Sequence, residues 1–372
     1  MLKHKGRFSS DYFLGILISF PLAYPGPPFY IFSFFVLSAL LLRAFNKKVE
    51  VDFFAIILLF INSISLILSS LIFNFEFGAG SFTALLGGCI FFVFFVLTHF
   101  IRDNGAFIKG FIDGVFVLCL VTILLFFLLG AYKYGVKIFY IPDYRLWAEG
   151  VLPDWPNYIV FFFCCAALLL LLRDKKVSVY LVLILIAAAM TTSRLFLVCL
   201  LLSIIMLGFL KLSKKSFLVL IILLIVTYFL ADFTIGFDEQ IVDRMSKSND
   251  REGLFSILIE LWSSRPFFGY GVISLHEIAD VDYASFHNSY LEMLVKGGGV
   301  GFVLFIAFIL RGGIILYSSA IPKTDKAILF IILFFFLFSS LFQNYLKHPH
   351  IMVLFTFLFY VLPSSYKKEK LV

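Results

Sequence analysis

Three arginines and one histidine stand out because each lies where an apolar run begins or ends. Arg194, in "TTSRLFL" (191–197), falls at a turn between two apolar runs with almost no loop to carry it into water. A charge near membrane depth costs about 2.5–3.5 kcal/mol at a helix centre and less toward its ends. Two readings stay open for Arg194: snorkelling to lipid headgroups, or an anion site facing inward. Arg251 and Arg265 bracket "REGLFSILIELWSSR", which reads as an amphipathic helix. Asn249 or Asp250 would cap it, Glu252 lies in its first turn, and Pro266, Gly269 and Gly271 would end it. Leu254, Phe255, Ile257, Leu258, Leu261 and Trp262 give it an apolar surface for the bilayer interface or for other helices. Arg265 suits the negative C-terminal end. Arg251 opposes the dipole at the start unless an anion sits beside it, either Asp250 or Glu252 or a ligand.

The fourth residue lies in "FHNSYLEMLVKGGGVGF" (286–302). Ser289 and Glu292 have the S-x-x-E spacing of a capping box, which also draws in Asn288. Gly297, Gly298 and Gly299 would let a short helix over about 289–296 turn sharply into the next apolar run, with Lys296 among headgroups. Helix formation leaves His287 unexplained. An imidazole with a pKa of about 6.5 can accept a proton at neutral pH and act as a general base, although a polar loop residue is the ordinary role for such a histidine. His276, His287, His348 and His350 share no recognised metal-ligand spacing, so neither metal nor cofactor is expected.

The elements that must position these groups are membrane helices. Of 372 residues, 62% are hydrophobic and 14% charged, and the mean hydropathy is +1.04, far from soluble composition. The net charge of +7 does not point to nucleic acid, because the basic residues fall in short clusters between apolar runs. All five cysteines lie inside apolar runs and read as small core residues. Lys3, Lys5 and Arg7 ahead of an apolar segment resemble a signal peptide, but no small-residue cleavage site follows, so the segment reads as the first span.

A spanning helix needs roughly 20 apolar residues. The sequence offers about twelve runs: 11–24, 28–44, 52–73, 80–101, 107–130, 157–172, 177–192, 195–210, 216–235, 300–317, 327–343 and 350–363. Residues 177–210 as one helix would be about 51 Å long against a hydrocarbon core of about 30 Å, so they must turn back near "TTSR". With both termini cytoplasmic (tails 1–10 and 364–372), 20 of the 30 Lys and Arg residues fall inside, as the positive-inside rule expects. The expectation is therefore a single all-α polytopic domain over 1–372. Its polar material lies outside, at 131–156 and in a large loop, 236–299, between the ninth and tenth spans. No cytoplasmic segment is long enough for a nucleotide-binding domain, and no phosphate-binding glycine loop precedes a lysine.

An ordered set of segments resembles the O-antigen polymerase and O-antigen ligase superfamily, bacterial membrane glycosyltransferases that use polyprenyl-diphosphate-linked glycans. The segments are "WPNY" (155–158), "TTSRLFL" (191–197), "DREGLFSILIELWSSRPFFGYG" (250–271) and "HNSYLEMLVKGGGVGF" (287–302). The resemblance covers about 150–302. It implies a bundle of the lipid-donor (C-type) glycosyltransferase kind with its site at the periplasmic face of the bacterial inner membrane. It further implies that Arg194 and Arg251 bind the donor diphosphate, that His287 acts as base or as an acceptor-orienting group, and that Arg265, Asn288, Asn157 and Tyr158 contact substrate. The partners it implies are an undecaprenyl-diphosphate-linked oligosaccharide donor, a glycan or lipid A-core acceptor, membrane lipids and a chain-length regulator. "FQNYLKHPH" (342–350) departs from members with an acid in the last outer loop: it has Gln343, Asn344 and Lys347.

Repeat-unit polymerase is the leading expectation, and transfer of finished glycan to lipid A-core, the ligase reaction, is the alternative. A transporter or lipid-linked-sugar flippase is the competing reading from another class. Transporters usually gather ionisable groups at the midplane of broken helices, and here Asp113, near a cytoplasmic end, is the main candidate.

Overall fold

The structure is a computed structural model describing residues 9–19, 38, 41, 51–73, 92–134, 156–190, 194–209, 251–272, 275–278, 288–343 and 348–368. Among these, every regular element is helical. Three helices are long and apolar enough to cross a membrane, over Phe53–Ile72, Asn104–Leu124 and Ser289–Ser318, and shorter apolar helices accompany them. The described residues are thus all-α and consistent with a polytopic membrane protein. The predicted span 216–235, nearly all of 28–44, and loop residues 135–155 and 236–250 lie outside the described residues.

The chain divides into two compact units, the first comprising Met1–Val36, Asp103–Ser248 and Lys323–Phe335. In it α1 (Ser10–Ile18) packs along α3 (Asn104–Tyr134). The contact is backbone to backbone: a Cβ on Gly110 would lie 1.9 Å from Tyr12 O, and one on Gly15 would lie 2.2 Å from Phe107 O. Small residues permit such close approach between membrane helices, where dispersion contacts and hydrogen bonds drive association. Asp11 Oδ2 accepts from the Asp103 N–H at 2.9 Å, and Tyr12 OH donates to Asp113 Oδ2 at 3.0 Å. Asp113, the residue a transporter reading would use, is thus tied to a tyrosine of the neighbouring helix.

The apolar stretch 177–210 is two helices, α5 (Val179–Met190) and α6 (Arg194–Phe209), as the length argument requires. Both pack on α4 (Pro156–Asp174), which is buried without interruption from Ile159 to Leu172, as expected of a helix apolar all round. Cys119, Cys164, Cys165 and Cys199 are free and buried. After α4 the chain reverses at Lys175, which holds φ 51° while its Nζ lies 2.8 Å from Asp325 Oδ1.

The second unit comprises Leu37–Arg102, Asn249–Pro322 and Phe336–Val372. Its axis is an antiparallel pair, α2 (Phe53–Phe73) against α9 (Ser289–Ser318). The register is legible in three facing pairs. Arg311 Nη2 and Nε bond Asp52 at 2.7 and 3.2 Å, Gly301 faces Asn62, and Gly297 faces Leu66. Against α9 stands a rod formed by α11 (Pro349–Thr356), a π turn (Phe357–Val361) and α12 (Leu362–Lys368). Its Tyr360 ring stacks on Phe308 at 5.1 Å, and its hydroxyl donates to Phe308 O.

The α9 helix is broken at Gly298, whose φ 61° and ψ −167° are not helical. The break falls within the glycine run where the sequence predicts a turn. In an unbroken helix the N–H groups of residues 299 and 300 would donate to the carbonyls of 295 and 296. Here segment 266–271, which follows α7 (Arg251–Ser264), takes all four groups. Gly299 N donates to Pro266 O (2.7 Å) and Val300 N to Phe267 O (3.1 Å), while Tyr270 N donates to Val295 O (2.9 Å) and Gly271 N to Lys296 O (2.8 Å). A membrane helix interrupted this way leaves none of these backbone groups unsatisfied.

Candidate functional site

Sequence-predicted site residues concentrate at helix starts. Arg194 is the first residue of α6 and Arg251 the first of α7. Asn157 and Tyr158 lie in the first turn of α4, where Tyr158 is buried. Asn288 caps α9, and His287, just before it, lies outside the described residues.

The cap at α9 differs from the expected capping box. Asn288, not Ser289, is the N-cap, its Oδ1 accepting from Tyr290 N at 2.9 Å and Leu291 N at 3.0 Å. Ser289 is drawn away by the chain after α10 (Lys323–Ser339): its N–H donates to Ser340 O at 2.9 Å and its Oγ to Gln343 O at 2.9 Å. Glu292 pairs with Lys296 Nζ at 2.7 Å. Tyr290 OH donates to Leu337 O at 2.9 Å. Ser340, Gln343 and Leu337 are contacts that no local spacing announced, because they join segments about 50 residues apart.

The first turn of a helix normally offers free N–H groups and a positive dipole end to an anion. At α9 the N–H groups of Ser289, Tyr290, Leu291 and Glu292 already have acceptors. The first turn of α9 therefore has no backbone donor left over for an anion among these four residues.

Arg265, immediately after α7, has its guanidinium carbon 4.3 Å from the centre of the Tyr270 ring. The Tyr270 hydroxyl is 2.7 Å from Ser264 Oγ. A cation–π contact therefore supplements the helix-end role expected for Arg265. The predicted apolar face of α7 is seated inward: Leu254 and Leu258 are fully buried with Val295 and with Leu275 of the short α8 (Leu275–Ile278), and Phe255, Leu261 and Trp262 pack around them. The same contacts fix the Arg251 end of α7 relative to the α9 segment that begins at Asn288.

The family model described as O-Antigen ligase matches residues 179–306. The match supports the O-antigen polymerase and ligase superfamily, and it contains Arg194, Arg251, Arg265, His287, Asn288 and the whole backbone junction between 266–271 and 295–300. Asn157 and Tyr158 lie outside it. No curated protein matches the chain.

Proposed function

We propose that the chain is a surface-polysaccharide glycosyltransferase of the bacterial inner membrane. Both termini lie in the cytoplasm, and an undecaprenyl-diphosphate-linked glycan reacts at the periplasmic face. The carrying observation is that Arg194 and Arg251 each open a helix, and His287 precedes a third, inside the segment matching the O-Antigen ligase family model. In this reading an acceptor hydroxyl oxygen attacks the anomeric carbon of the donor glycan. The bond from that carbon to the diphosphate oxygen breaks, and the electron pair leaves with undecaprenyl diphosphate. Arg194 and Arg251 bind the developing negative charge through forked, charge-assisted hydrogen bonds, and His287 takes the hydroxyl proton. The activated leaving group removes any need for a nucleotide outside the cytoplasm.

The acceptor is a second lipid-linked repeat unit, which makes the chain a polymerase. The ligase reading, with lipid A-core as acceptor, is favoured by the description of the matching family. Complementation separates them. In a strain lacking its polymerase, single-repeat lipopolysaccharide becomes a ladder on gels if the chain polymerises. In a strain lacking its ligase, bare core becomes decorated if the chain ligates. Restoration of neither phenotype by well-inserted protein overturns both readings.

A further inference from the structure

The turn at Pro266–Phe268 is irregular backbone held at one end of a membrane helix, and its side chains point away from the protein. Phe267 is 71% exposed and Phe268 56% exposed. Their carbonyls are nonetheless tied inward. Phe267 O accepts from Val300 N at 3.1 Å and Phe268 O from Ser69 Oγ at 2.7 Å, while Pro266 O accepts from Gly299 N at 2.7 Å and brings no N–H of its own. A turn facing water has no need of this, because water satisfies its carbonyls. A turn facing hydrocarbon does, since an unsatisfied backbone group there costs several kcal/mol by the general rule for lipid-exposed chain.

Depth points the same way. The span Phe53–Ile72 is about 30 Å long at 1.5 Å per residue, the thickness of a bilayer's hydrocarbon core. Ser69, which donates to the Phe268 carbonyl, lies three residues from the Ile72 end of that span, so the turn lies just inside the boundary between hydrocarbon and headgroups. Below it α9 presents an exposed apolar stripe, Val303, Leu310, Ile314 and Tyr317, and Val300 stands one turn above Val303. The two phenylalanines thus extend the lipid-facing surface of α9 up to the interface, the level at which aromatic side chains anchor membrane proteins.

We propose that Phe267 and Phe268 are a lipid anchor, inserted among the acyl chains of bilayer phospholipid just beneath the headgroups. Through the bonds of 266–271 to 295–300, this anchor sets the depth of the α7 end that carries Arg265 and of the break in α9. The occupant is bulk phospholipid. The inference stands apart from the glycan chemistry, and only the choice of leaflet rests on the orientation proposed above.

The test places the photo-reactive residue p-benzoylphenylalanine at 267, and separately at 268, in the full chain reconstituted in nanodiscs of phosphatidylethanolamine and phosphatidylglycerol. Irradiated products are read by mass spectrometry against the same residue at Val303 and at the exposed Glu260. Phospholipid adducts at 267 or 268 approaching the Val303 yield, and several-fold above the Glu260 yield, are expected. Yields no higher than at Glu260 at both positions would place the turn in water and overturn the proposal. Cross-links to protein instead of lipid would overturn it in favour of a second copy or another part of the chain covering the turn.

Discussion

Gly269 and Gly298 meet backbone to backbone. Both hold positive φ, +66° and +61°, and a Cβ on Gly269 would lie 2.6 Å from Gly298 N and 2.4 Å from Val295 O. This contact joins the arginine-bearing α7 segment to the helix that Asn288 caps, so the two stretches act as one structural piece.

Substitutions in the glycine run are expected to separate by position. Gly298→Ala forces a side chain onto φ 61°, ψ −167°, a region essentially reserved for glycine, and places it 2.3 Å from Phe267 C and O. The conformational cost of about 1–3 kcal/mol and overpacking of about 1–3 kcal/mol make about 2–6 kcal/mol of destabilisation. Gly269→Ala should behave alike. Gly297→Ala meets nothing nearer than Met293 Sδ at 3.4 Å and should be neutral, or stabilising by up to about 1 kcal/mol through helix propensity. Unfolding midpoints of purified protein in detergent check the order.

That break was legible because glycine alone of the residues in the run takes positive φ at little cost. The helix-start detail was misread by one residue: "NS" offers two good caps, and the choice was made by Ser340 and Gln343, which take the Ser289 amide and hydroxyl. The separation of α5 from α6 followed from length against bilayer thickness. The Arg265 contact with Tyr270 was missed because a chain reversal through Gly269, rather than helical spacing, brings the two together. Spans were readable from hydropathy because each depends on its own residues, whereas the partners of a site depend on how segments meet.

Loss of the proposed site residues should separate chemistry from folding. Arg194→Ala and Arg251→Ala are expected to lower transfer by about 10²–10³-fold, in line with removal of a group stabilising developing charge. His287→Ala should lower it by about 10²–10⁴-fold. Membrane insertion and the unfolding midpoint should stay near those of the parent. Wild-type transfer by all three well-inserted variants, read on lipopolysaccharide gels, would remove these residues from the mechanism.

Arg265 allows a choice between helix-end support and substrate contact. Tyr270→Ala takes away the ring beneath the guanidinium and should cost about 0.5–1 kcal/mol for the exposed cation–π contact, with Arg265→Lys costing less. A support role predicts that Arg265→Ala leaves KM for the lipid-linked donor unchanged. A rise in KM at constant kcat, beyond that seen for Tyr270→Ala, would make Arg265 a donor-binding residue.

Asp52 precedes the span Phe53–Ile72 and carries a pH-dependent share of stability. Burial pulls its pKa up, but the hydrogen bonds from Arg311 and the Ala55 N–H, with the Arg311 charge, outweigh it and hold the carboxyl below its ordinary value. A group lowered on folding contributes fully above its unfolded pKa of about 4 and loses that contribution as pH falls through the folded value. Asp52→Asn should therefore be less stable than the parent at pH 7, by about 1–2 kcal/mol for a partly exposed charge-assisted pair. The gap should close as the pH is taken down through the acid range. A gap that persists unchanged at low pH would show that packing, not charge, holds this end of α2 to α9.

The α1–α3 contact offers a sharper comparison, because the same chemical change can be made with and without a neighbour in the way. A Cβ on Gly110 would sit 1.9 Å from Tyr12 O, and one on Gly15 would sit 2.2 Å from Phe107 O, both backbone atoms that cannot swing aside. Gly208 in α6 and Gly253 in α7 have nothing within 4 Å. Alanine has the better helix propensity by about 0.8–1 kcal/mol, so Gly208→Ala and Gly253→Ala should raise the unfolding midpoint or leave it unchanged. Gly15→Ala and Gly110→Ala must push α1 off α3, stretching the Tyr12–Asp113 hydrogen bond as they do so. Each should cost at least about 1–3 kcal/mol. If all four variants shift the midpoint alike, the two helices do not touch through these glycines, and the interlocked α1–α3 pair is wrong.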